Sequence, residues 1–113
     1  MPRPEEVKNI PDTPPADRDR PHLSLVIPAY NEARRIVFTL GKTVSYLSSQ
    51  SYTWELIVVD DGSTDETADL AESFARDLAS VRVIRISPNR GKGHALKVGV
   101  LQSVGRYIGF MDA

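Results

Sequence analysis

The sequence predicts an α/β fold in which a mostly parallel β-sheet carries helices on both faces. From residue 23 onward, apolar runs typical of strands alternate with stretches of helical spacing, the pattern of parallel strands joined by right-handed crossovers. One run, Leu56–Val59, is branched and apolar at every position, as expected for a strand buried on both faces. It ends abruptly in Asp60 and Asp61, at the end of the strand where open α/β sheets place their ligands.

The composition is that of one modest globular domain. The chain has 113 residues, of which 41% are hydrophobic and 26% are charged. The formal net charge of -1 gives no electrostatic reason to expect nucleic acid as a partner. The absence of cysteine excludes disulfides and thiolate metal sites. No apolar run approaches the roughly 20 residues that span a bilayer, and the N-terminus lacks the apolar core of a secretory signal, so a cytoplasmic location is expected.

The N-terminal segment, residues 1–21, is predicted to be a flexible leader. It holds six of the eight prolines, interleaved with charged residues. Such a segment cannot bury enough apolar surface to order itself. The predicted folded part is therefore residues 22–113.

The first three elements follow this leader directly. The apolar run Leu23–Ile27, closed by Pro28, predicts the first strand. A helix is predicted within Asn31–Gln50 from the spacing of its apolar residues, with Asn31 as the N-cap. The second strand is predicted over Trp54–Asp60.

Two further helices and two further strands complete the pattern. Ser63 and Glu66 have the spacing of a capping box at the start of the second helix. Branched residues over Val81–Ile86 predict the third strand. The third helix is predicted over Lys92–Ser103, and the fourth strand over Arg106–Met111.

Polar groups cluster where the strands end. They lie in Pro28–Glu32, Asp60–Ser63, Asn89–Gly93 and at Asp112. Because all carboxyl ends of a parallel sheet lie on one edge, we expect these four groups to converge on one crevice. A buried strand gains nothing from carboxylates at its tip, since desolvating them is costly without a partner. An ordinary polar loop between strand and helix is the alternative.

The mixture of groups favours a nucleotide ligand. Asp61 or Asp60 can accept a hydrogen bond from the ring N–H of uracil or guanine. Tyr30 can stack on the base, while Arg90 and Lys92 can meet phosphate charge.

A hard divalent cation bridging a diphosphate could be held by Asp112 together with further oxygens. Structural alternatives stay open for several of these residues. Glu32 can be only a charge at a helix start, Arg90 and Lys92 only solvated loop residues, and the glycines only turn formers. The two histidines lack the partners that would complete a metal site.

A dinucleotide-binding Rossmann fold is the main competitor within this architecture. It needs a glycine-rich turn directly after the first strand, and here that turn is Pro28–Glu32, which contains no glycine. The glycines of Gly91–Gly93 follow the third strand instead and lack the full spacing. A nucleotidyltransferase, which would want a glycine-rich basic loop after the first strand, ranks last for the same reason.

Three motifs resemble those of inverting family 2 glycosyltransferases with the GT-A fold. They are Val26–Glu32, Val58–Asp65 and Asn89–Gly93. The last motif resembles the branch that makes polyprenyl-phosphate sugars, such as dolichyl-phosphate glucosyl- and mannosyltransferases. The resemblance runs from Leu23 to the end of the sequence and implies the Rossmann-like, nucleotide-binding half of the GT-A fold.

The resemblance also implies residue roles. The implied substrate-binding residues are Pro28, Tyr30, Glu32, Asp60, Asp61 and Lys92. Asp112 matches the first acid of the family's metal-binding Asp-x-Asp, through which Mg²⁺ or Mn²⁺ would neutralise the leaving nucleoside diphosphate. The implied reaction moves a hexose from UDP-glucose or GDP-mannose to an acceptor, in this branch a polyprenyl phosphate, by inverting displacement. Such an acceptor would put the intact enzyme at a membrane surface.

The sequence departs from the family pattern at its end. Ala113 stands one residue before the second acid, and the acceptor-binding half with its catalytic base is absent, so no catalytic residue can be named. The resemblance therefore predicts a fragment that is inactive alone, and a fourth strand near an uncovered edge predicts marginal stability or self-association. A non-catalytic nucleotide-binding or assembly module is the alternative function.

Overall fold

The secondary structure follows the predicted alternation, with one additional strand. A computed structural model describes residues 4–11 and 19–113. In chain order its elements are β1 (Glu6–Lys8), β2 (Leu23–Ala29), α1 (Ile36–Ser48), β3 (Trp54–Asp61), α2 (Thr67–Ala75), β4 (Val81–Ser87), α3 (Lys92–Gln102) and β5 (Tyr107–Phe110). The four predicted strands are β2 to β5, and each lies within two residues of its predicted bounds.

The strands form one sheet in the order β1-β4-β3-β2-β5. β2 to β5 run parallel, and β1 pairs antiparallel with the edge of β4. α1 and α2 connect neighbouring strands, whereas α3 carries the chain from β4 past β3 and β2 to reach β5. The direction of the connections therefore reverses between β2 and β5. Such a switch point opens a crevice outside the carboxyl ends of the strands.

The apolar core lies on both faces of the sheet, as predicted. One face, including Ile27 and Val58, packs against Ile36 and Leu40 of α1. The other face packs against α3, where Ala95 is fully buried. Successive side chains of a strand point to opposite faces, so a continuous apolar run fills both layers.

Both predicted helix N-caps are wrong. α1 begins at Ile36, and the side chain of Asn31 instead accepts a hydrogen bond from the backbone N–H of Thr64 at 2.8 Å. α2 also begins later than predicted, and the hydroxyl of Ser63 donates to Asp60 at 2.5 Å. Short polar side chains bond nearby backbone groups in turns as readily as at helix starts, so sequence alone did not separate the two.

Strand β1 lies inside the predicted flexible leader. Glu6–Lys8 pairs with Arg85–Ser87 of β4, and Val7 packs against the core on the α3 side. The prediction is therefore wrong for these residues, because an edge strand offers backbone hydrogen bonds to a segment with little apolar surface. Residues 1–3 and 12–18 of the predicted leader lie outside the described part of the chain.

The opposite edge of the sheet is formed by β5. Its side chains Tyr107, Ile108 and Phe110 are exposed. The predicted self-association depends on this edge and stays a prediction. Among the residues that the structure describes, no helix has both the length and the apolar character needed to cross a membrane.

Candidate functional site at the switch point

A cavity of about 470 Å³ opens at the carboxyl ends of the strands. Its walls come from the end of β2 and the following loop, the end of β3, the start of α3 and the segment after β5. The lining residues are Pro28, Ala29, Tyr30, Glu32, Arg35, Asp61, Lys92, Ala95, Asp112 and Ala113. Of the seven residues to which the resemblance assigns substrate or metal binding, all except Asp60 line this cavity.

Asp61 is buried at the end of β3, where it is 3% exposed. Its carboxylate accepts hydrogen bonds from the backbone N–H groups of Arg90 (2.9 Å) and Gly91 (2.7 Å) and from the side-chain amide of Asn89 (2.9 Å). A carboxylate offers about four acceptor positions, so one remains free for a ligand. Asp61 therefore holds the turn after β4 in place and, as a lining residue of the cavity, has acceptor capacity left over.

Asp60 lies outside this cavity. The pleat of β3 turns it away from Asp61, and its carboxylate accepts from the N–H (3.2 Å) and the hydroxyl (2.5 Å) of Ser63. Burial raises the pKa of Asp60, and the Ser63 hydrogen bonds oppose that rise. Asp60 lines a second cavity of about 250 Å³ with Glu6 and Arg85. The structure therefore places the two aspartates at different cavities, and the predicted role of Asp60 in substrate binding stays a prediction.

The loop after β2 contributes an aromatic ring and an ion pair. Tyr30 is 45% exposed at the cavity, so one part of its ring is free to stack on a flat ligand. The carboxylate of Glu32 accepts from Arg35 Nε at 3.0 Å and pairs with its Nη2 at 2.9 Å. Sequence reasoning missed Arg35, although its position three residues after Glu32 is the spacing of an ion pair on one helical turn.

The other side of the cavity is open and charged. The ammonium group of Lys92 pairs with Asp112 Oδ1, and the two side chains are 60% and 76% exposed. Such an exposed pair contributes little stability, so its members can exchange partners readily.

Arg90 does not line the cavity. Its guanidinium lies 3.7 Å from Glu5, and the same carboxylate contacts His94 Nε2. The structure therefore supports the loop interpretation of Arg90 over a phosphate contact. The N-terminal segment instead ties the turn after β4 to the start of α3.

A divalent metal is the cofactor expected at Asp112. Within residues 4–11 and 19–113, no group of three or more His, Asp or Glu side chains is arranged to hold an ion. Mg²⁺ is commonly held by one or two carboxylates together with substrate phosphates. One exposed carboxylate at a cavity therefore fits a metal shared with a diphosphate ligand, and it does not fit an all-protein cage.

Comparisons of this chain with known proteins agree on one family. The model of the family "Glycosyl transferase family 2" matches residues 24–113. The dolichyl-phosphate beta-glucosyltransferase of Homo sapiens is 40% identical over 111 residues, covering 90% of this chain and 34% of that protein. The chain spans about a third of the length of the curated relatives it matches.

Solved structures share the arrangement of sheet and helices. The mannosyltransferase PcManGT from Pyrobaculum calidifontis, in complex with GDP-Man and Mn²⁺, matches with a TM-score of 0.70 and 28% identity, covering 93% of this chain and 31% of that one. Glucosyl-3-phosphoglycerate synthase from Mycobacterium tuberculosis, in complex with Mn²⁺, UDP and glucosyl-3-phosphoglycerate, matches with a TM-score of 0.63 and 29% identity, covering 85% and 34%. These likenesses confirm the predicted GT-A fold class, and with the family match they establish that the chain belongs to glycosyl transferase family 2.

Proposed function

We propose that the cavity at the switch point binds the nucleotide-sugar donor of a family 2 hexosyltransferase. The observation that carries the proposal is the convergence of Tyr30, Asp61, Lys92 and Asp112, from four distant segments, on one cavity. An aromatic ring and a buried acceptor lie on one side of it, and a cation and a carboxylate lie on the other. A nucleoside diphosphate carries its base at one end and its diphosphate at the other, so the ring and the acceptor match the base while the charged groups match the diphosphate.

The base occupies the buried side of the cavity. The free acceptor position of Asp61 receives the ring N–H of uracil or guanine, and Tyr30 stacks on the base. Asp61 is already held by three hydrogen bonds from the turn after β4, so it needs no rearrangement to receive the base. Pro28 and Glu32 line the nucleoside part of the cavity.

The diphosphate occupies the open side. Lys92 stands at the first turn of α3, where the helix N-terminus adds a further positive potential. Asp112 would hold a divalent cation in place of its ion pair with Lys92, and Lys92 would then be left to bind a phosphate oxygen. A bound Mg²⁺ or Mn²⁺ would neutralise the charge of the departing nucleoside diphosphate. The Mn²⁺ in the complexes of the two structural neighbours supports this assignment.

The acceptor proposed for the whole protein is a polyprenyl phosphate. The human relative's name, dolichyl-phosphate beta-glucosyltransferase, supports that acceptor and favours glucose as the hexose. A phosphate oxygen of the acceptor attacks the anomeric carbon as the bond to the donor diphosphate breaks, with its electron pair leaving on the diphosphate and inversion at carbon. A lipid acceptor places the intact enzyme at a membrane surface. None of the cavity residues is proposed as the catalytic base.

Calorimetric titration of the 113-residue chain tests the proposal. UDP-glucose and GDP-mannose are each added with and without Mn²⁺. We expect one of them to bind, and Mn²⁺ to tighten its binding about tenfold (about 1.4 kcal/mol), since a cation would offset the repulsion between Asp112 and the diphosphate. Asp112→Asn should abolish the Mn²⁺ effect and spare the metal-free affinity. Asp77→Asn, an exposed acid outside the cavity, is the matched control. Absence of binding of either nucleotide sugar at millimolar concentration would overturn the proposal.

A further inference from the structure

Three consecutive backbone N–H groups after β2 each donate to a side chain from the segment that leads from β3 into the first residue of α2. The donor and acceptor pairs are Asn31 with Ser63 Oγ at 2.9 Å, Glu32 with Thr67 Oγ1 at 2.8 Å, and Ala33 with Asp65 Oδ2 at 3.3 Å. We call the side chains of Ser63, Asp65 and Thr67 the amide clasp. None of these three lines the nucleotide cavity.

The loop after β2 reaches back in the other direction through Asn31. Its side-chain oxygen accepts hydrogen bonds from the backbone N–H groups of Thr64 (2.8 Å) and Asp65 (3.4 Å). Asn31 has a φ of 52°, in the left-handed region that L-residues rarely adopt. The segment between β3 and α2 therefore helps to hold Asn31, between Tyr30 and Glu32, in this less common backbone conformation.

The clasp is itself anchored. The hydroxyl of Ser63 accepts from Asn31 and donates to the buried Asp60, so both of its hydrogen-bonding functions are used. Thr67 is fully buried, and its backbone N–H donates to Asp65 Oδ1 at 2.9 Å. Its hydroxyl also donates to Asp65, which holds the pKa of that carboxyl below its usual value. Each clasp side chain is thus fixed before any ligand arrives.

We propose that Ser63, Asp65 and Thr67 are positioning residues that set nucleotide affinity by holding Tyr30 and Glu32 at the base side of the cavity. The inference rests on the proposed function and assigns a role to residues that touch no ligand. A loop that is already ordered loses little conformational freedom on binding, and affinity rises accordingly. Loosening the clasp leaves Tyr30 present but no longer held over the base.

A pair of substitutions at Thr67 tests the hydroxyl, which accepts from the Glu32 N–H and donates to Asp65. Thr67→Val keeps the shape of the side chain and removes the hydroxyl, whereas Thr67→Ser keeps the hydroxyl. With the nucleotide sugar that binds the wild-type chain, we expect Thr67→Val to raise Kd about tenfold, because the partly buried backbone N–H of Glu32 loses its acceptor and Asp65 loses a donor. Thr67→Ser should stay within about twofold of the wild type. Amide hydrogen exchange at Glu32 should accelerate in Thr67→Val and not in Thr67→Ser.

A second comparison separates positioning from loss of stability. Val83→Ala removes buried side-chain volume in β4, away from the cavity, so it should lower the melting temperature without changing Kd. If Thr67 acts through Tyr30, Thr67→Val should weaken binding much less in a Tyr30→Ala background than in the wild type.

The outcomes are distinguishable. A wild-type chain that binds no nucleotide sugar overturns the proposed function and this inference with it. A wild-type chain that binds, together with an unchanged Kd in Thr67→Val or additive effects of Thr67→Val and Tyr30→Ala, overturns the inference alone. A raised Kd in Thr67→Val, recovery in Thr67→Ser and non-additivity with Tyr30→Ala support it.

Discussion

The two sides of the cavity are built in opposite ways. On the base side, Asp61 is 3% exposed and accepts three hydrogen bonds, and the loop carrying Tyr30 is held by the amide clasp. On the diphosphate side, Lys92 and Asp112 are mostly exposed and are held by one ion pair. The first side has its shape before any ligand binds, whereas the second can change partners.

This difference has a chemical reason. A base is recognised by the direction of its hydrogen bonds and by its flat faces, so its pocket gains from rigidity. A diphosphate and a metal are recognised mainly by charge, which depends weakly on direction. Exposed side chains also exchange readily with a metal and with a departing product. Substitutions on the base side should therefore change both stability and affinity, whereas those on the diphosphate side should change affinity with little effect on stability.

The largest expected effect is next to the base side, at Gly62, which directly follows Asp61. This residue has a φ of 67°, and a Cβ there would lie 2.6 Å from the backbone nitrogen of Asn89. Gly62→Ala should therefore lower the free energy of unfolding by about 3 kcal/mol, from backbone strain and overpacking together. Gly93→Ala is the control, since a Cβ there meets no heavy atom within 4 Å. Urea denaturation should find the control at least as stable as the wild type, since alanine favours a helix more than glycine does, and a stable Gly62→Ala would count against a rigid base side.

The next largest effect is expected from Asp61→Ala. It leaves three donors of the turn after β4 without their acceptor, so the free energy of unfolding should fall by about 2 kcal/mol. Nucleotide affinity should fall at least about tenfold, since the turn loosens and the contact to the base is lost. Denaturation and calorimetry measure the two quantities separately. An unchanged affinity would remove Asp61 from the site.

On the diphosphate side, Lys92→Met should separate affinity from stability. The free energy of unfolding should change by less than about 0.5 kcal/mol, because the ion pair with Asp112 is exposed. Nucleotide-sugar affinity should fall about fivefold at low salt and less at high salt, as phosphate attraction is screened. Lys97→Met, an exposed lysine of the same helix outside the cavity, should leave affinity unchanged. Equal changes in affinity for the two substitutions would indicate that Lys92 is only a solvated loop residue.

The smallest effect is expected beneath the base side, at Asp60. Burial raises the pKa of Asp60 above its ordinary value of 3.8, so the ionised carboxyl is disfavoured in the folded chain. The protonated carboxyl therefore favours the folded state. Its contribution to the free energy of unfolding is fully present below about pH 4 and is lost as the pH rises through the raised pKa of the folded chain. Asp60→Asn does not titrate, so its stability relative to the wild type should increase from about pH 4 toward neutral pH. Denaturation of both proteins across that range measures the difference, and a difference that shrinks with pH would contradict the assignment.

Much of this architecture was readable from local sequence. The apolar runs predicted β2 to β5, and the rule that parallel strands end on one edge was enough to predict that Tyr30, Asp61, Lys92 and Asp112 converge. That rule depends on chain direction alone and needs no knowledge of packing. The recognised motifs supplied the family, which the comparisons confirmed.

The tertiary structure decided which of two adjacent aspartates faces the cavity. A strand that is apolar at every position carries no alternation from which its two faces can be told apart. Tertiary contacts also decided two further features. β1 forms because its backbone pairs with the edge strand β4, and the hydroxyl of Ser63 accepts from the backbone N–H of Asn31 in the loop after β2 instead of capping α2. Hydrogen bonds between segments far apart in the chain exist only once the fold has brought those segments together, so no local pattern encodes them.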